Sequence, residues 1–183
     1  MKLNRYQIFA GIVLIVISAA LKAITFPYSI TPIIAISFFS GVSFKNRQWA
    51  FSMPLFAMFF SDCLMEIFRD GQGFYGMGQI GNYLSLLAVT FMARFINVNK
   101  TWQVIAGAPL ASLLFFFLSN TNCFLFDTSG FYGSGINGWM NCLIAGIPFL
   151  EKGILTDLSY VAILFTADRK STRLNSSHEW ISR

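Results

Sequence analysis

Residues 31–68 read TPIIAISFFSGVSF, then KNRQ, then WAFSMPLFAMFFSDCLMEIF. Two apolar segments flank a tight turn that carries Lys45 and Arg47, side chains too strongly hydrated to enter hydrocarbon. The first segment is long enough for a short helix and the second for a full span. The pattern predicts a helical hairpin whose turn lies at a membrane surface, on the cytoplasmic side. The second segment also carries Asp62 and Glu66, four residues apart and so on one helix face, near the end remote from the turn. One hairpin thereby sets the topology and nominates a site.

Of the 183 residues, 55% are apolar and only 11% charged, with mean hydropathy +0.60, too little polar surface for an ordinary soluble domain. The formal charge of +5 sits mainly in short links between apolar runs and is not interleaved for nucleic acid, so a nucleic-acid partner is excluded. Cys63, Cys123 and Cys142 form no CxxC pair and, being odd in number, read as thiols rather than a disulfide framework. The tail from Asp168 to Arg183 turns abruptly polar and resembles the translation of a short sequencing adapter. It is set aside as non-native, which removes the only histidine from functional reasoning. The expected domain is therefore 1–167.

Working outward, Tyr6–Ala23 is long enough to cross hydrocarbon, with Lys2 and Arg5 before it and Lys22 placed to snorkel at its far end. A cleaved signal peptide is the competing reading of that run. Thr31 and Pro32 suit the start of the second span, as cap and first-turn residue. Beyond the third span, the glycine-rich RDGQGFYGMGQ predicts an irregular loop that folds over a site. Ile80–Ile96 makes the fourth span and the run from Trp102 to Ser119 the fifth, with Pro109 inside it. WMNCLIAG, residues 139–146, is too short to cross and is expected to lie at the interface before Pro148 opens the sixth span. Six helices with both termini cytoplasmic place Lys2, Arg5, Lys45, Arg47, Arg94 and Lys100 inside, as the positive-inside rule requires.

Ionisable residues within such spans are functional candidates. Asp62, Glu66, Glu151, Lys152 and Asp157 fall mainly in the outer half, and Lys152 is expected to meet Asp62 or Glu66. A structural interhelical salt bridge and a ligand-binding role both fit this cluster. On the binding reading Asn82, Asn120, Asn122 and Asn141 add polar contacts, and Phe74 and Trp139, each beside a flexible polar segment, could stack on a flat ring. There is no HExxH, GxSxG or P-loop, so no catalytic residue, metal or cofactor is expected and any active transport draws on a partner or an ion gradient.

The blocks TPIIAISFFSGVSF, WAFSMPLFAMFFSD, FFFLSNTNCFLF and YGSGINGWMNCLIAGIPFLEKGILTDLSYVAILF resemble an uncharacterised bacterial membrane family, the domain of unknown function 6580, over roughly Pro27 to Phe165. Its members are regarded as transport proteins. That family is in turn similar to the substrate-binding S components of energy-coupling-factor transporters, six-helix proteins that capture vitamins for separate transmembrane and ATPase subunits. The resemblance implies an all-α, polytopic S-component-like bundle in the bacterial inner membrane that binds a small organic micronutrient on its outer side. It implies that Asp62, Asn120 and Asn122 are signature positions, and that the small-xxx-small pair Ala19 and Ala23 meets a coupling subunit. SITP stands where the family more often starts Asn-Phe-Thr-Pro. The alternatives are a structural membrane subunit, or a proton-coupled carrier that uses Asp62 or Asp157.

Overall fold

The computed structural model describes residues 13, 15–17, 20–22, 24, 32–69, 71 and 73–181, with 167–181 as backbone alone. These residues are all-helical outside their links, with no strand among them. Helical residues within 13–24 form α1, followed by α2 (Ile33–Ser43), α3 (Arg47–Phe68), α4 (Met77–Ala93), α5 (Thr101–Leu125) and α6 (Gly135–Ile181). Ala19 and Ala23, the expected partner contact, lie outside the described residues, as does Thr31.

Helix α2 is apolar on every side, and a helix of that kind must be enclosed. Eight of its eleven residues are buried. It packs against α3, α4, α5 and α6, and those four contact one another in chain order. Phe38 and Phe39 meet Phe165 of α6 at 6.1 and 5.2 Å. On the opposite flank Gly41 lets α2 approach α4 closely, because a Cβ there would lie 2.5 Å from the Thr90 carbonyl and 2.6 Å from the Ala93 side chain. Pro32 occupies the cap position of α2, and its carbonyl accepts from Ile36 N at 2.8 Å.

The basic turn forms where the hydration of its side chains predicts. Asn46 caps α3 by accepting from Gln48 N at 2.8 Å. Arg94, the C-cap residue of α4, donates to the Phe44 carbonyl at 2.5 Å, so the link between α4 and α5 lies at the same end as this turn. Lys45, Arg47, Arg94 and Lys100 therefore share one end of the bundle. At the opposite end the glycine-rich link is a loop, but α4 starts at Met77, three residues ahead of the expected Ile80.

Two helices, α3 and α5, are long and apolar enough to cross a membrane. Only 39% and 28% of their most apolar windows are buried, so neither resembles the enclosed core helix of a soluble protein. The second expected span differs, because α2 at eleven residues is roughly 16 Å long and cannot alone cross a core of about 30 Å. The expected break before Pro148 does not occur, and α6 runs unbroken through it from Gly135. A proline removes one amide donor from such a helix without ending it when the surroundings accommodate the freed carbonyl.

Candidate functional site

Asp62 is fully buried on α3, and a buried carboxylate needs donors. It has three. Lys22 of α1 forms an ion pair with Oδ1, while Gln79 Nε2 and Tyr83 Oη of α4 donate to Oδ2 at 2.6 and 2.7 Å. Gln79 also donates to the Gly73 carbonyl at 3.2 Å, and one Glu66 oxygen accepts from the Gly73 and Phe74 amides at 3.0 and 3.2 Å. The loop between α3 and α4 is thus strapped onto the last turns of α3. Only glycine fits at 73, where a Cβ would lie 2.0 Å from the Asp62 carbonyl oxygen.

Beside this network, in the half of the bundle remote from the basic turn, lies a cavity of about 520 Å³. It extends along α5 from Cys123 and Asn120 to Ser112, roughly 16 Å of helix. Phe115, Phe116 and Phe149 make apolar walls, and Lys22, Tyr75, Asn82 and Asp157 reach it from α1, the loop, α4 and α6. Asp157 is buried and accepts from Ser112 Oγ at 2.7 Å. Asn82 Nδ2 donates to Tyr75 Oη at 2.7 Å, while its Oδ1 is buried with no donor among the described residues. The size and the mix of an apolar wall with a few polar groups are those of a small-molecule pocket.

Of the ten residues nominated from sequence, Asn82 and Asn120 line this cavity, and Asp62 stands behind the Lys22 that does. The others have separate tasks. Glu66 holds the loop, and Phe74 lies exposed against Phe59 at 6.1 Å. Asn122 joins α5 to α4 by donating to the Gly78 carbonyl at 2.5 Å. Trp139 donates its indole N–H to Thr121 Oγ1 at 3.0 Å and stacks edge-on against Phe117. Asn141 donates to the Tyr132 carbonyl at 3.3 Å, and Glu151 and Lys152 lie on an exposed face of α6. The cation paired with Asp62 is Lys22, where Lys152 was expected. Cys63, Cys123 and Cys142 are all free thiols.

From sequence, Lys22 reads as a membrane-boundary residue and Tyr75 as one of several outer-side aromatics, while Ser112 and Phe149 draw no attention. A lone lysine closing an apolar run was the available signal for a buried pair. Nothing in the spacing indicates that Ser112 and Asp157, forty-five residues apart, touch.

A family profile matches residues 2–174. The chain belongs to DUF6580, a family of unknown function. No curated protein and no solved structure matches this DUF6580 chain.

Proposed function

We propose that this DUF6580 chain is a membrane-embedded capture protein for a small organic solute, the substrate-binding subunit of a bacterial inner-membrane uptake system and not an enzyme. One observation carries the reading: a 520 Å³ apolar cavity with a few buried polar groups occupies the bundle end opposite the cationic turn. Placing Lys45, Arg47, Arg94 and Lys100 on the cytoplasmic side by the positive-inside rule turns that cavity toward the exterior. Large apolar side chains on the outer helix faces, such as Phe56, Phe60, Phe91 and Phe117, suit contact with lipid. The reading keeps six membrane crossings, with the short α2 enclosed by its neighbours, and leaves the energy source to coupling and ATPase subunits.

The structural-subunit reading gains from Asp62, whose bonds are all internal. Asp62→Asn would harm folding on either reading and so does not separate them. Gly153 does, because it lines the cavity and an added Cβ there meets nothing within 4 Å. The test is mass spectrometry of small molecules released from the purified parent chain and from Gly153→Leu, which fills the cavity without removing a polar group. A stoichiometric metabolite in the parent that is lost from the folded variant supports capture. If neither preparation carries one and no member of a micronutrient panel raises the parent's thermal stability, the capture reading fails.

A further inference from the structure

We infer that the cavity selects an organic cation, an amine-bearing solute with a flat apolar body, whose ammonium group pairs with Asp157. This rests on the capture reading above and adds the chemical class of the ligand.

Lys22 contributes no net charge to the cavity, because Asp62 neutralises it from behind. Asp157 has no such counter-charge: its one partner among the described residues is the Ser112 hydroxyl. That hydroxyl also lies 3.3 Å from the Ala108 carbonyl, and its single hydrogen serves one acceptor at a time. A carboxylate that is nearly enclosed and lacks a cation is the most costly group in such a wall. Asn82 Oδ1 is an acceptor with no donor among the described residues. The wall thus offers acceptors and one buried carboxyl with no cation beside it among the described residues.

The complement of such a wall is a positively charged donor. An incoming carboxylate would face Asp157, and the ammonium within its reach, Lys22, is already neutralised by Asp62. A neutral solute would leave Asp157 without a counter-charge. Phe115, Phe116 and Phe149 supply faces and edges against which a ring packs, and their negative faces also favour a nearby cation.

The test uses the full chain in lipid nanodiscs and three probes of matched shape: 3-phenylpropylammonium, 3-phenylpropanol and 3-phenylpropionate. Binding is read by calorimetry on the parent, Asp157→Asn, Ser112→Ala and Gly153→Leu. The ammonium probe should bind the parent at least about tenfold more tightly than the alcohol, with the propionate weakest. Asp157→Asn should abolish that preference and Ser112→Ala should keep it. The parent's ranking decides the matter even if Asp157→Asn does not fold. A propionate that binds as tightly as the amine, or a preference that survives Asp157→Asn, overturns the inference. If Gly153→Leu still weakens the alcohol, the cavity reading stands without it. Equal binding of all three probes to the parent and to Gly153→Leu overturns both.

Discussion

Replacing Lys22 by Met would leave Asp62 buried with two donors where it now has three. Asp62 is wholly enclosed, whereas the Lys22 side chain keeps 19% of its surface exposed. The two ends of the pair therefore respond unequally. Removing one partner of a buried pair costs about 3–5 kcal/mol. The retained bonds from Gln79 and Tyr83 place Lys22→Met near the lower bound, at about 3 kcal/mol. Asp62→Asn should cost about 2 kcal/mol, the value of a hydrogen bond to a charged group, because the freed ammonium can turn toward its exposed side. The double variant strands no charge. It should cost about 3 kcal/mol, not the sum of about 5, which gives a coupling of about 2 kcal/mol. Reversible unfolding of the full chain in mixed micelles, titrated with a denaturing detergent, measures all four corners. The reasoning is refuted if Lys22→Met costs under about 1 kcal/mol, as a solvent-exposed pair would, or if the two effects simply add.

Two more outcomes follow from close approaches and exposure. Gly41→Ala drives a methyl into the Thr90 carbonyl and Ala93, so it should separate α2 from α4 and lower stability by about 1–3 kcal/mol in the same titration. Gly153→Ala, where nothing lies within 4 Å of the added atom, is its control and should be neutral or stabilising by up to about 1 kcal/mol. Cys123 is exposed and lines the cavity while Cys142 is buried. A membrane-impermeant maleimide added to intact cells should label Cys123 well ahead of Cys142, and a bound solute should slow it. Labelling only after the cells are opened would reverse the proposed orientation.

The local features of this fold were legible because they depend on single residues. The hydration of Lys45 and Arg47 announced the turn, and the glycines of 71–76 broke the helix. What was not legible depends on how helices face one another. Asp62 and Lys22 are forty residues apart, and no periodicity within one helix states which neighbour it will meet. Asn122 read as a ligand contact, yet α4 and α5 come so close at Gly81 that its amide is spent on the Gly78 carbonyl. Pro148 read as the start of a span because proline suits the first turn of a helix and disfavours its interior. Inside a packed bundle that rule loses its force.

The bond from Arg94 to the Phe44 carbonyl has a mechanical consequence. It joins the ends of two successive hairpins by a charge-assisted link, next to the seam where Gly41 seats against Ala93. Rigid rods clasped at one extremity can splay only at the other, like tongs held at the pivot. At the far extremity α3 and α4 are joined by the buried bonds of Asp62 and Gln79 and, at the surface, by the loop amides that Glu66 holds, which water can replace more readily. On the capture reading proposed above, a solute would enter where the loop amides leave Glu66, and passage straight through would require a second event that releases the Arg94 clasp.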